Sequence, residues 1–152
     1  MAVVKRKVQI EASPQKTMDL LSDASRWPDW YPGMTDISIA APFPEEGGKV
    51  TFKVKSAGVS MPITETVLDY RPGRLQLFEM EGTLSGRARW EVDPEGDGTC
   101  LTTTFDYGLP GGVLGKIADA LFVQRLNAKS LEQGLNNFKA LVERDPDAKA
   151  MT

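Results

Sequence analysis

Histidine is absent from the 152-residue chain. That removes Ser-His-Asp and Cys-His catalysis and every zinc site that needs an imidazole. The one cysteine, Cys100, leaves no intrachain disulfide and no Cys-x-x-Cys metal or redox motif. It begins a strand beside a turn with no base near it in sequence, and reads as a half-buried structural thiol. Any chemistry therefore rests on carboxylates, phenols, amides and guanidinium groups. The informative ones interrupt apolar stripes, because a polar group facing an apolar interior must be paired or else meet water or a ligand. Arg6 falls among Val4, Val8 and Ile10, and Glu65 shares a face with Ile63 and Val67. Thr103 and Tyr107 share one with Leu101 and Phe105, and Gln124 lies on a helical stripe. Arg6 and Glu65 have two readings: a buried or rim ion pair with no chemistry, or groups that orient a polar atom on a hydrophobic ligand. If the site is catalytic, Arg6, Glu65 and Tyr107 are the acid/base and orienting candidates.

Other clusters read as structure. Glu79 and Glu81 share a strand face opposite Phe78 and Met80, which marks a solvated outer face before a glycosidase-like pair. Asp93, Glu95 and Asp97 fall in a turn. Gly115-Lys116 lacks both the upstream glycine and the following Ser/Thr of a phosphate loop. Gly82 to Gly86 leads into a strand and not a helix, so it is no dinucleotide fingerprint. Trp27, Trp30 and Tyr31 cluster beside Pro28 and Pro32, where amphipathic rings suit either a core plug or a cavity entrance.

Lys+Arg 18 against Asp+Glu 21 gives a net charge of -3, without the basic surplus of a nucleic-acid binder. Hydrophobic residues at 41% and charged residues at 26% fit a globular domain and exclude a disordered or collagenous chain. The most apolar stretch, Val113 to Val123, is interrupted by Lys116 and Asp119, so no stable membrane insertion is expected. The start, Met1 to Glu11, alternates apolar and basic residues and lacks the apolar run of a signal peptide; the expected location is cytoplasmic.

The elements that must position these groups follow from periodicity. Val3 to Glu11 reads as a strand. Ser13 caps, and Pro14 opens, a short helix containing Met18, Leu20 and Leu21. A second short helical segment spans Arg26 to Tyr31. From Thr35 to Leu109 apolar residues recur at every second position, and turn signals such as Arg71-Pro72-Gly73 and Glu95-Gly96-Asp97-Gly98 recur about every ten residues. This predicts six antiparallel strands, seven with the first. A long helix follows from about Val113 to Glu143, with Ile117, Leu121, Ala128, Leu131, Leu135, Phe138 and Val142 on one stripe. Gly134 inside it costs on the order of 1 kcal/mol against Ala unless close packing requires it. A seven-stranded sheet has one apolar face to cover, and only this helix is long enough; the sheet must curl around it. A curved sheet and a straight rod do not match along their whole contact, so small residues at the seam leave unfilled volume.

These residues resemble the START-like, or Bet v 1-like, superfamily, and within it the bacterial polyketide cyclase/dehydrase and coenzyme Q-binding group. The resemblance is carried by Ile10-x-Ala12-x-Pro14, Leu20-Leu21-x-Asp23, Trp27-Pro28-x-Trp30, Arg71-Pro72-x-Arg74-Leu75, Trp90-Glu91-Val92 and Leu109-Pro110-Gly111-Gly112. It implies an α+β helix-grip fold over residues 1–145: a seven-stranded curved antiparallel sheet around a long C-terminal helix, with two short helices between strands 1 and 2 and a flexible tail at 146–152. It also implies a cavity between sheet and helix for a small lipophilic molecule such as a polyketide, quinone, isoprenoid or lipid. The residues expected to line it are Trp30, Phe52, Phe78, Ala88, Trp90, Thr103, Phe105, Leu121, Gln124 and Ala128. No cofactor and no metal is expected, and the chain is expected as a monomer or weak homodimer. Two alternatives stand beside carriage: a polyketide aromatase/cyclase or dehydratase, and an interaction module of the toxin or chaperone-activator type.

Overall fold

The structure, a computed structural model, describes residues 2–56, 58–108 and 117–144, with the side chains of the last helix from Arg125 onward. The tail expected at 146–152, and Val113 to Lys116 of the expected long helix, lie outside the described residues.

Strand β1 (Ala2–Ile10) leads through Ser13 into helix α1 (Pro14–Leu21). The Ser13 hydroxyl accepts a hydrogen bond from the Lys16 backbone N–H, satisfying one of the free donors at the helix start. A 3-10 turn (Ala24–Arg26) and the single-turn helix α2 (Trp27–Trp30) follow. The turn residues then divide the chain into β2 (Met34–Ala40), β3 (Lys49–Ser56), β4 (Val59–Arg71), β5 (Leu75–Gly82), β6 (Ser85–Glu95) and β7 (Gly98–Gly108). Gly73 adopts φ +76°, as a Pro-Gly turn requires. Helix α3 (Ile117–Arg144) closes the fold.

All seven strands form one antiparallel sheet in the order β1-β7-β6-β5-β4-β3-β2, with α3 packed nearest β1. Register fixes which side chains share the inner face. One row runs Val67, Phe78, Ala88, Phe105, Val4, and the next runs Val50, Glu65, Met80, Gly86, Tyr107. A third carries Tyr70, Gln76, Trp90, Thr103 and Arg6. Leu131, Leu135, Phe138 and Val142 of α3 are buried against this face. The result is the helix-grip α+β architecture. Among the described residues no helix is long and apolar enough to cross a membrane.

Candidate ligand cavity

A cavity of about 50 Å³ lies between the inner face of β2–β7, α2 and α3. Its wall is mostly aromatic and thioether. Trp27 and Trp30 enter from α2, Phe52 from β3, Phe78 from β5, Trp90 from β6 and Phe105 from β7. Trp27 meets the rings of Phe52 and Phe78 edge-on, with centroids 6.0 and 5.8 Å apart; Trp30 meets Trp90 and Phe138 at 5.9 and 5.1 Å. The two roles that the sequence allowed for the tryptophans thus coincide: both are buried core residues, and both line the cavity. Met34, Met61 and Met80 supply flexible surface between the rings.

The polar groups on this wall are few. Glu65 is 7% exposed and has no hydrogen bond or ion pair among the described residues. Burial raises its carboxyl pKa to about 8, so it is largely protonated near neutrality. Gln76 is fully buried, and among the described residues neither its amide nitrogen nor its amide oxygen has a partner. Trp30 likewise buries an unpaired indole N–H. Tyr31, at the end of α2, lines the cavity; burial raises its phenol above the ordinary value, and the Glu65 charge and Tyr107 add to the effect. Asn127 of α3 lines the cavity and donates from Nδ2 to the Tyr107 hydroxyl at 3.4 Å. Burial also raises the Tyr107 phenol, against the opposing pull of that bond.

The residues singled out from the sequence divide into three groups. Trp30, Phe52, Phe78, Trp90, Phe105 and Glu65 line the cavity. Ala88 is fully buried between Phe78 and Phe105, and Thr103 is buried beside Trp90 with an unpaired hydroxyl, but neither reaches the cavity surface. Tyr107 and Ala128 also stop short of it, Tyr107 being tied to its rim through Asn127. The side chains of Leu121 and Gln124 lie outside the described residues.

The Arg6–Glu65 pair does not form. Arg6 instead bonds Glu132 of α3 from Nε and Nη2 at 3.1 and 2.9 Å, with 39% of its side chain exposed. β1 is an edge strand, so a long guanidinium there turns out to the flank of the helix and keeps its charge in water. Sequence reasoning passed over Gln76 and Asn127 and named Tyr31 only as part of an aromatic cluster. Gln76 had a signal: it stands two residues before Phe78, on the face that Phe78 and Met80 make apolar. Glu79 and Glu81 point away from that face, as expected. Among the described residues no group of three His, Cys, Asp or Glu could hold a metal ion.

Solved structures that share this architecture include three with TM-scores of 0.75, 0.76 and 0.79. TTHA0849 from Thermus thermophilus superposes with a TM-score of 0.79 at 21% identity, covering 93% of this chain and 97% of that one. The ZhuI aromatase/cyclase from Streptomyces sp. R1128 gives 0.76 at 18% identity, with 94% of each chain covered. A START superfamily protein from Mycobacterium smegmatis gives 0.75 at 21%, covering 93% and 97%. No curated protein matches the sequence. The family model described as polyketide cyclase / dehydrase and lipid transport matches residues 1–143. A grip-shaped sheet, an aromatic cavity beneath its helix and a family match over nearly the whole length agree: the chain belongs to the polyketide cyclase/dehydrase and lipid transport family.

Proposed function

We propose that this chain binds and carries a small lipophilic molecule in the cavity between sheet and helix. The observation that carries the reading is an aromatic-walled cavity whose buried Gln76 amide has no partner among the described residues. Folding alone favours satisfying such a group or replacing it with an apolar residue. Burial of apolar ligand surface supplies roughly 25 cal/mol per Å², and the few polar groups set orientation. At about 50 Å³ the cavity is smaller than the roughly 300–1,000 Å³ of sites that hold drug-sized ligands. A larger passenger therefore enters by displacing wall side chains, and Met34, Met61 and Met80 are suited to that. The test is native mass spectrometry on protein purified from its own host, with organic extraction of what it carries. A stoichiometric lipophilic passenger is expected. A protein that arrives empty and then binds no member of a panel of fatty acids, quinones and aromatic polyketides overturns the reading.

One observation favours catalysis as a second reading. Glu65 is a protonated acid near neutral pH inside an apolar cavity, with Tyr31 close enough to feel its charge. A group in that state can protonate a ketone or a leaving hydroxyl during dehydrative cyclisation of a polyketone. Arg6 leaves this reading because it is committed to Glu132 outside the cavity. Glu65→Gln is expected to abolish turnover of a polyketone mimic while leaving its affinity within a few-fold; unchanged turnover ends the catalytic assignment. Among the described residues the exposed large apolar ones, Val3, Ile39 and Val59, sit on three different strands and form no docking patch.

A further inference from the structure

We propose that the cavity selects uncharged lipophiles bearing a carbonyl or hydroxyl group and discriminates against lipophilic carboxylates such as free fatty acids. This rests on the lipophile-binding reading above and names its substrate class. Gln76 carries the argument. Its side chain is fully buried on the cavity wall, held in register between Tyr70 and Trp90, and both ends of its amide are unpaired among the described residues. An amide offers two donors and a carbonyl acceptor. A ketone can accept from its nitrogen; a hydroxyl can accept from the nitrogen and donate to the oxygen. A hydrocarbon does neither and leaves the amide desolvated and unpaired.

The second observation is the sign of the surroundings. Among the described residues no lysine or arginine lines the cavity, and the chain has no histidine. The Tyr31 phenol, at the end of α2, interacts with Glu65, and the other polar side chains on the cavity wall are the neutral Gln76 and Asn127 amides and the Trp30 indole. A carboxylate ligand would be stripped of water with no counter-ion and set beside another acid, a costly arrangement at low dielectric. Protonated Glu65 can instead donate to a ligand carbonyl. That donor is lost as pH rises through about 8.

The experiment compares four probes of one chain length by calorimetry and tryptophan fluorescence: octanol, methyl hexyl ketone, octane and octanoate. The optical readout is direct, because all three tryptophans line the cavity. Near neutral pH, octanol and the ketone are expected to bind at least about tenfold more tightly than octane or octanoate. Gln76→Leu is expected to reduce the ketone-to-octane ratio to near unity while octane affinity holds or rises. Ketone affinity is expected to fall several-fold above pH 8 in the native protein and to stay level in Glu65→Gln. Octanoate binding as tightly as octanol overturns the proposal, and so does an unchanged ketone-to-octane ratio in folded Gln76→Leu; in either case lipophile binding itself survives. Failure of all four probes overturns the lipophile-binding reading, and the proposal with it.

Discussion

The two ends of the grip bury their polar groups in opposite ways. At the α1 end, Ile10, Ala12, Met18, Val92 and Leu101 are fully buried, and the buried hydroxyls among them are partnered. Thr99 donates to the Ala12 carbonyl at 2.6 Å and Thr17 to the Ser13 carbonyl at 2.9 Å. The last turns of α3 are fastened there as well: Lys139 donates to the Gln9 carbonyl, and Glu143 accepts from the Glu11 backbone N–H. At the α2 end, the same sheet and helix enclose a cavity and leave Gln76, Trp30 and Thr103 with polar atoms unpaired among the described residues. The difference lies in local side-chain choice, since both ends are built on the same seven-stranded sheet. One end meets the rules of a stable core, and the other departs from them where a ligand could complete the bonding.

The largest expected effect tests whether the α1 end is the closed one. Leu101→Ala removes a fully buried side chain from close packing and is expected to destabilise by about 2–5 kcal/mol in urea denaturation. Met80→Ala, on the cavity wall, is expected near the lower limit of that range, because its side chain already lacks neighbours on one side. Equal losses would erase the distinction between the two ends.

Glu65 provides the next effect, through pH. Its folded pKa of about 8 lies above the ordinary 4.5, so the folded chain holds a proton that the unfolded chain releases. The sign follows: full stability is present below about pH 4.5, declines as pH rises, and reaches its reduced level above about pH 8. The expected loss is on the order of a few kcal/mol, since each tenfold change in proton affinity is worth about 1.4 kcal/mol. Glu65→Gln is expected to flatten the profile across that window. A native protein equally stable at both limits would mean that the carboxyl is solvated and the cavity is not apolar around it.

A paired test of opposite sign comes third. Gln76→Leu removes a buried amide without partners and is expected to stabilise by about 1–3 kcal/mol. Thr99→Val removes a satisfied hydroxyl and is expected to destabilise by about 1 kcal/mol. Melting temperatures of both variants without ligand suffice. If Gln76→Leu also destabilises, the amide has a partner, and the selectivity argued for the cavity loses its basis.

How much of this was legible in the sequence follows the same division. Alternation and turn chemistry report on backbone course, so the seven strands, the break at Pro72-Gly73 and the α3 stripe through Leu131, Leu135 and Phe138 are readable from residue order. Which inward residues reach a cavity is a question of a few ångströms across the sheet, and alternation does not resolve it. Ala88 and Thr103 share a face with Phe78 and Trp90, yet larger neighbours cover them. Arg6 also obeys the alternation, but a long side chain on an edge strand can leave the face to which its Cβ is assigned. Glu65 sits in a central strand and has no such exit, so the same reasoning succeeds for it. Gln76 was readable from the Phe78–Met80 alternation; Asn127 was not, because its place depends on how α3 is rotated over the sheet.

The smallest expected effect lies where the two ends meet. Gly134 of α3 faces α2, and a Cβ built there would stand 3.4 Å from Tyr31 Cδ2, 3.5 Å from Pro32 Cδ and 3.7 Å from the Trp30 carbonyl oxygen. These are ordinary contact distances, so packing does not require glycine at this position. Gly134→Ala is therefore expected to stabilise by up to about 1 kcal/mol, the usual helix-interior difference, with octanol affinity unchanged. The measurement is a urea titration with and without octanol. A destabilised variant with altered affinity would show a tighter contact, with the methyl group moving the Tyr31 ring. Since Tyr31 lines the cavity, the helix crossing would then set the cavity's shape as well as its roof. An unchanged affinity keeps the two functions apart: α3 fastens the closed end through Lys139 and Glu143, and α2 with the central strands shapes the open one.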